Sequence, residues 1–192
     1  MPIKGQFPQL FWKPQAALST MTTPEIPDFA RKLCGRAELG AKLASLPRPL
    51  VFTNGVFDVL HRGHVSYLDR ARALAGPAGE GVGSLVLALN SDASAKRLGK
   101  GPDRPLNNEI DRAMVMAALE SVSLVTWFDE DTPLEIIREI RPDVLVNGGD
   151  YDMSKLAETQ VVLAYGGTAQ ALPFVDGYST TALVQKIRQG QA

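Results

Sequence analysis

The chain has one cysteine and almost no net charge, and both features exclude whole classes of protein. A lone Cys34 among 192 residues excludes an internal disulfide and a cysteine-rich zinc site, and it fits a reducing, cytoplasmic compartment. A formal net charge of −1 provides no overall positive field, so we expect neither nucleic acid nor membrane as a partner. A local cluster of cations can still bind a phosphorylated small molecule.

Long hydrophobic runs are also missing. A membrane-spanning helix needs about 18 or more consecutive apolar residues, and the sequence contains no such run. Its beginning lacks a basic segment followed by an apolar stretch, so no secretory signal is predicted. With 45% hydrophobic and 21% charged residues, the composition is that of a globular protein with a substantial core. The length indicates a single domain, and residues 1–27, which have no clear periodicity, are interpreted as an irregular N-terminal tail.

The rest of the chain alternates short apolar runs with helical patterns. Residues 28–47 are predicted as one N-terminal helix, ended by Pro47 and Pro49. Strands are then predicted at 50–53, 85–89, 123–128, 144–146 and 168–173, with helices at 64–74, 107–120, 132–140, 154–165 and 179–188. Because strands separated by helices are joined by crossovers, this order predicts a doubly wound α/β fold with a parallel sheet of about five strands.

Both histidines of the chain lie in the stretch NGVFDVLHRGH, residues 54–64. Asn54 and Gly55 follow the first strand, and ligands of such sheets bind beyond the carboxyl ends of the strands. On the first turn of a helix His61 and His64 share a face, where the helix dipole favours anions and imidazole N–H groups can donate to phosphate oxygens. Gly63 leaves space beside them. The alternative is a pair that caps or packs the helix; a zinc site is a poorer explanation, since no third ligand is identified.

A basic segment, NSDASAKRLGKGPDRP, follows the second predicted strand at residues 90–105. It combines Asp92 with four cations, Lys96, Arg97, Lys100 and Arg104. We expect a mobile loop that closes over a triphosphate and offsets its charge, although a solvated charged loop is the alternative. Arg112, at the start of the next helix, either reaches the same site or lies exposed on the helix surface.

Two later segments also follow predicted strands. In VLVNGGDY (144–151), Gly148 and Gly149 allow the backbone to approach a base or ribose, and Asp150 can accept a hydrogen bond from a hydroxyl or organise a metal; a left-handed turn with a capping Asp is the alternative. In VDGYSTTALVQKI (175–187), Gly177 precedes hydroxyl residues at a helix start. These can bind phosphate together with free N–H groups, or act only as an N-cap.

The string GVFDVLHRGH resembles the HxGH signature of the nucleotidylyltransferase superfamily, which has a Rossmann-like α/β fold. The resemblance implies a nucleotidylyltransferase domain over residues 48–190, in which His61 and His64 bind nucleoside triphosphate phosphates and stabilise a pentacoordinate transition state. Lys96 matches a catalytic lysine that contacts phosphate. The implied nucleotide-binding residues are Asn54, Gly55, Phe57, Asp92, Arg112, Gly148, Gly149, Asp150, Gly177, Ser179 and Thr180. Asp58 and Asn90 are the implied acceptor-binding residues.

Four strings between about Leu46 and Arg188 are similar, in order, to one branch of the superfamily, the D-glycero-β-D-manno-heptose 1-phosphate adenylyltransferases. They are FTNGVFDVLHRGHVSYL, LNSDASAKRLGKGPDRPLN, FDEDTPLEIIREIRPDVLVNGGDY and VDGYSTTAL. The resemblance implies transfer of AMP from ATP to a sugar 1-phosphate, giving ADP-heptose for lipopolysaccharide core. It also implies Mg²⁺ bridging the ATP phosphates, with no dedicated protein ligands, and a homo-oligomer of a stand-alone enzyme.

The chain departs from this branch at two places. Asn147 stands where the family usually has lysine, so one phosphate contact is missing or supplied elsewhere, and GPAGEGVG (76–83) is longer than the usual link into the second strand. Two rival functions therefore stay open. One is a cytidylyltransferase acting on a small phosphorylated alcohol, and the other is a non-catalytic nucleotide-binding regulator.

Overall fold

The computed structural model describes residues 26–76, 82–99, 101–149, 152–175 and 177–190. Within them lies a five-stranded sheet with the strands β1 Leu50–Gly55, β2 Ser84–Asn90, β3 Leu124–Phe128, β4 Val144–Gly148 and β5 Thr168–Leu172. The α-helices are α1 Leu39–Ser45, α2 Arg62–Ala73, α3 Asp92–Arg97, α4 Glu109–Ala117, α5 Leu134–Ile140, α6 Ala157–Leu163 and α7 Thr180–Arg188. Across these ranges, the helices are all too short or too polar to traverse a bilayer.

All neighbouring strands are parallel, in the order β3-β2-β1-β4-β5. The order therefore reverses between β1 and β4, which places the switch point beside the predicted ligand loop. Helices cover both faces. On one face Leu68 and Met116, from α2 and α4, pack against the sheet; on the other, Ile136 and Val162, from α5 and α6, do so. The predicted doubly wound α/β fold is confirmed.

The segment 28–47 is not one helix, so that prediction is wrong. It consists of 3₁₀ turns at Asp28–Lys32 and Arg36–Glu38 followed by α1, and between the turns the chain is extended. There Leu33 bridges to Val125 of β3, and the Cys34 amide donates to the Val125 carbonyl at 2.9 Å. Phe29 and Leu33 pack on one face of the sheet, whereas Cys34 and Leu39 pack on the other. One helix has a single apolar stripe and cannot serve two faces, so the chain crosses the β3 edge in extended form.

The basic segment after β2 also differs from prediction. Residues predicted as a mobile loop form α3, which begins at Asp92 because the Ser91 hydroxyl caps it by accepting from the Ser94 amide at 3.0 Å. A smaller difference concerns α5. Pro133 occupies its N-cap position, so the helix begins at Leu134, two residues after the predicted start at 132. The predicted tail falls almost wholly outside the described residues.

The loop between β1 and α2 is tied to the segment before α4 by a buried carboxylate. The side chain of Asp58 is 1% exposed and accepts from the amides of Leu106 and Asn107 at 2.8 to 2.9 Å and from Arg104 Nε at 2.6 Å. Burial alone would raise the pKa of Asp58, but these hydrogen bonds and the guanidinium outweigh it and lower the pKa. In this structure Asp58 has a structural role, and its predicted contact with an acceptor stays a prediction.

A buried arginine, Arg112, connects the end of β2 to neighbouring segments of the chain. The side chain of Arg112 is fully buried, and its guanidinium donates to the carbonyls of Val56, Asn90 and Asn107 at 2.8 to 3.0 Å. It also donates to Asp92 Oδ1 at 2.7 Å. The exposed-helix interpretation of Arg112 is therefore wrong. The side chain holds together the ends of β1 and β2 and the start of α3.

We expect Asp58→Asn to destabilise the fold by about 3 kcal/mol, because it breaks a buried ion pair and places an amide N–H against two backbone donors. Urea unfolding measures this. Since the pKa of Asp58 is lowered on folding, its contribution is full above the unfolded value of 3.8 and is lost as the pH falls through the lower folded value. The difference between wild type and variant should therefore shrink below pH 3.8.

Asp103→Asn is the matched control. Asp103 pairs with Arg188 at 2.7 Å, and both side chains are 61% exposed, so its loss should cost well under about 1 kcal/mol. Equal destabilisation by the two substitutions would contradict the clamping role of Asp58.

Candidate active site

The candidate site lies beyond the carboxyl ends of β1 and β4. His61 immediately precedes α2 in an extended conformation, with φ −142° and ψ 169°, and His64 is in the first turn of that helix. Their rings are stacked, with centroids 3.8 Å apart and planes 15° from parallel. Both residues are half-buried, so they are neither lost in the core nor fully solvated.

The side chain of His61 does not cap α2. His61 occupies the N-cap position, but no side-chain hydrogen bond caps the helix there. Its Nδ1 atom is buried and accepts no hydrogen bond from the described residues, and burial lowers the pKa of this imidazole. Burial therefore favours the neutral form of His61, and its other ring nitrogen is the one available to a ligand.

Two glycines near the pair lie close against neighbouring side chains. A Cβ on Gly63 would lie 3.1 Å from His61 Cε1 and Nδ1 and 3.1 Å from Tyr178 Cβ, so the predicted space beside the histidines is present and is filled by those side chains. A Cβ on Gly55 would lie 2.9 Å from the ring of Phe57. The group that lies close to Gly55 is therefore the Phe57 side chain of the same loop.

The ring of Phe57 lies against one ring of the histidine pair, that of His64. Its ring is 8% exposed and lies 5.2 Å from the His64 ring, at an interplanar angle of 57°. The backbone of Phe57 has φ +47°, a left-handed conformation that is unfavourable for a bulky residue. The loop therefore holds this ring against His64 at some cost in backbone strain. Direct contact of Phe57 with a nucleotide stays a prediction.

The start of α7 meets the histidine loop. The Ser179 hydroxyl accepts from the Ala182 amide at 3.0 Å, so the N-cap interpretation of Ser179 is confirmed. The capping oxygen keeps its own O–H to donate to a ligand. Thr180 Oγ1 donates to the Val59 carbonyl at 3.3 Å, which joins α7 to the loop before α2. Gly177 has φ +82° and open space where a side chain would be.

The end of β4 differs in detail from the predicted contact with a base. A Cβ on Gly148 would lie 2.4 Å from the Phe174 ring and 3.3 Å from that of Tyr67, so this glycine accommodates protein side chains. Gly149 has φ +123°, and its amide donates to the Leu172 carbonyl at 2.9 Å, which fits the turn interpretation. Asp150 lies outside the described residues.

The cations predicted around the triphosphate have different environments. Arg97 pairs with Asp131, and Arg104 is engaged by Asp58, while Lys100 lies outside the described residues. Lys96 is exposed in the last turn of α3 and stays the candidate cation of this segment.

The polar residues predicted at the end of β2 are engaged internally. Asp92 pairs with Arg112 and is one-third exposed, and its contact with a nucleotide stays a prediction. Asn90 is 5% exposed, and its Nδ2 donates to Ser94 Oγ at 3.0 Å; the predicted acceptor contact stays a prediction. Asn54 is half-buried near the end of β1, and its role stays a prediction.

The sequence motifs did not single out three residues that the fold brings to the candidate site. Tyr178 lies with its ring 6.3 Å from the His61 ring, and the Arg62 guanidinium lies 5.7 Å from the Tyr178 centroid. Phe174 is 55% exposed beside Gly148. The motif spacing located α2 and α7 separately, but only their convergence shows that these side chains meet.

Comparison with known proteins gives close relatives over most of the chain. It is 58% identical over 164 residues to a D-beta-D-heptose 1-phosphate adenylyltransferase from Bordetella bronchiseptica, covering 84% of this chain and 97% of that protein. It is also 51% identical over 137 residues to the bifunctional protein HldE of a Marinomonas species, covering 71% of this chain but 27% of that longer protein.

A solved structure and a family model agree with the architecture. The lipopolysaccharide core biosynthesis protein from Thermoplasma volcanium has the same fold, with a TM-score of 0.54 at 24% identity; the match covers 70% of this chain and 100% of that one. The cytidylyltransferase-like family model matches residues 52–186, from within β1 into α7, and therefore includes the histidine loop and the hydroxyl-rich start of the last helix. The chain belongs to the cytidylyltransferase-like family.

Proposed function

We propose that this protein transfers AMP from ATP to D-glycero-β-D-manno-heptose 1-phosphate, releasing pyrophosphate and forming ADP-heptose for lipopolysaccharide core. The observation that carries the proposal is the 58% identity to a heptose 1-phosphate adenylyltransferase along 97% of that protein. A stacked histidine pair at a helix start on the sheet's switch point supports the same chemistry, because helix N-termini and imidazole donors favour polyphosphate.

The reaction needs no general base on the protein. An oxygen of the sugar phosphate, already anionic, attacks the α-phosphorus of ATP in line; the new P–O bond forms as the bond to the β-phosphate oxygen breaks, and pyrophosphate leaves with its electron pair. Catalysis therefore consists of positioning and charge stabilisation. We assign to His61 and His64 the donation of hydrogen bonds to the phosphate oxygens, and Lys96 and the hydroxyl of Ser179 are the further donors we assign to the triphosphate.

Stacking limits how much charge the histidine pair can carry. Two imidazolium rings 3.8 Å apart would repel, and burial already lowers the pKa of His61. We therefore propose that His61 acts as a neutral donor through Nε2. Such a donor is already in position when negative charge develops on the phosphate oxygens, so its side chain does not have to reorient during the reaction.

We propose that magnesium enters this site bound to the ATP substrate. Among the described residues, no group of three or more His, Cys, Asp or Glu side chains is arranged to hold a metal ion. Mg²⁺ prefers oxygen ligands and keeps several waters, so we propose that it is bound by ATP phosphate oxygens and water, where it neutralises phosphate charge. ATP and a sugar 1-phosphate are the proposed substrates, in the cytoplasm, and the family resemblance favours a homo-oligomer.

A pyrophosphate-release assay tests the proposed substrates. We expect turnover with ATP and the heptose 1-phosphate, and little with CTP and glycerol 3-phosphate, because the adenylyltransferase relative is similar from end to end. Faster turnover with CTP would instead favour a cytidylyltransferase. Tight ATP binding without pyrophosphate release from any acceptor would favour a regulator, and Asn147 would then be the residue to examine first.

His64→Ala should lower kcat by about 10²-fold, as loss of one preorganised transition-state donor does. Val65→Ala, an exposed neighbour on α2, is the control and should retain activity. Turnover at the wild-type level in the His64 variant would refute the assigned role.

Gly63→Ala should separate activity from stability. Its Cβ would lie 3.1 Å from the His61 ring, so the imidazole must shift by a few tenths of an ångström, and we expect kcat to fall about tenfold. The melting temperature should not fall by much, since Ala is the better helix former by up to about 1 kcal/mol.

The matched control for Gly63 is Gly40→Ala. Gly40 lies in α1, and nothing lies within 4 Å of its added Cβ. This variant should keep full activity and gain slightly in stability. An active Gly63 variant would show that the histidine stack tolerates displacement.

A further inference from the structure

The sheet opens at its switch point. β1 and β4 are paired only at Val51 with Val144 and Phe52 with Leu145, although both strands continue beyond these residues. On either side of this gap the ladders persist, because β1 stays paired with β2 as far as Gly55, and β4 stays paired with β5 as far as Gly148. The carboxyl ends therefore separate only between β1 and β4, directly below the histidine loop and the Gly148 turn.

A tyrosine from α2 bridges the gap. Tyr67 is 3% exposed, and its hydroxyl lies 2.6 Å from Thr53 Oγ1 on β1 and 3.1 Å from the Val146 carbonyl on β4. These are the next residues after the last paired ones on each strand. Because Tyr67 donates its one O–H to Val146, Thr53 is the donor in the other bond, and the three groups form a directed chain. Burial raises the pKa of Tyr67 to about 12, so the phenol keeps its proton.

We propose that Tyr67 is a positioning residue that holds the nucleotide cleft open and orients His64. Its hydroxyl stands where a β1 amide would otherwise satisfy Val146, so the two strands are kept apart without an unpaired buried carbonyl. Tyr67 follows His64 by three residues on α2 and shares its side of the helix. The same side chain therefore sets both the separation of the strands and the rotation of the helix that carries the histidine.

The ring of Tyr67 extends this role to the turn after β4. Its Cε2 would lie 3.3 Å from a Cβ on Gly148, and its centroid is 6.1 Å from that of Phe174. One turn further along α2, Arg70 donates to the Pro173 carbonyl. The helix thus braces the β5–α7 connection as well as the two strands, and a nucleotide spanning the β1 and β4 loops would lie over this brace.

The test compares variants of the bridge by their affinity for Mg²⁺ and α,β-methylene-ATP, measured by calorimetry below the melting transition. Tyr67→Phe removes the shared hydroxyl, and we expect the Kd of the analogue and the KM of ATP to rise about tenfold, the size expected for one buried hydrogen bond. Thr53→Val should act in the same direction, whereas Thr53→Ser, which keeps the hydroxyl, should bind as wild type does.

Two further comparisons separate positioning from general stability. The double variant Tyr67→Phe with Thr53→Val should be no worse than Tyr67→Phe alone, because both act on one chain of hydrogen bonds. Tyr165→Phe is the matched control, since its hydroxyl is buried at the opposite end of the sheet with no partner among the described residues, and it should not affect binding.

Wild-type affinity in Tyr67→Phe, or additive losses in the double variant, would overturn the proposal. If Tyr67→Phe does not fold, the comparison of Thr53→Val with Thr53→Ser still tests the proposal. The kinetic part of the test rests on the proposed adenylyltransferase function, but the calorimetric part does not. A wild-type protein that binds the ATP analogue yet releases no pyrophosphate would refute that function and leave the role of Tyr67 testable.

Discussion

The reversal of strand order between β1 and β4 is the constraint on which the site depends. In a parallel sheet, helices that follow neighbouring strands on opposite sides of a reversal leave a crevice at the carboxyl edge. Here the crevice is deepened because the ladder between the two strands stops after two residue pairs. The histidine loop and the Gly148 turn stand on opposite sides of it, so one extended ligand can touch both.

Buried polar groups then connect the loops around this crevice. The Asp58 carboxylate and the Arg112 guanidinium are each almost fully enclosed and hydrogen-bonded to backbone groups from distant segments. A buried charge is stable only when hydrogen bonds or an ion pair compensate it. A loop position that broke these contacts would therefore raise the free energy of the folded protein strongly. The half-buried histidine pair and the exposed Lys96 remain the groups that we propose as ligand contacts. This division of roles explains why several charged residues of the motifs are structural.

The predicted architecture was correct for the strands of the sheet and their order of alternation with helices. Apolar runs separated by helical patterns located all five strands of the described sheet, and the strand ends placed the motifs on one edge. It failed where a local pattern was decided by distant partners. The apolar spacing of 28–47 resembled one helix because residues that serve two faces of a sheet can still fall at helical intervals. The family resemblance implied Asp58 and Asn90 as acceptor-binding residues, but it could not show that both are buried and hydrogen-bonded within the protein.

The sequence by itself determined the doubly wound fold, the ligand edge and the histidine pair, because strand and helix periods and the HxGH spacing are local properties. Tertiary structure alone decided which polar side chains are free, since burial and hydrogen bonding depend on segments far apart in the chain. It also decided the stacking of His61 on His64 and the bridge of Tyr67 between Thr53 and Val146. Those contacts join residues from separate elements, and no periodicity along the chain encodes the distance between two strands that cease to pair.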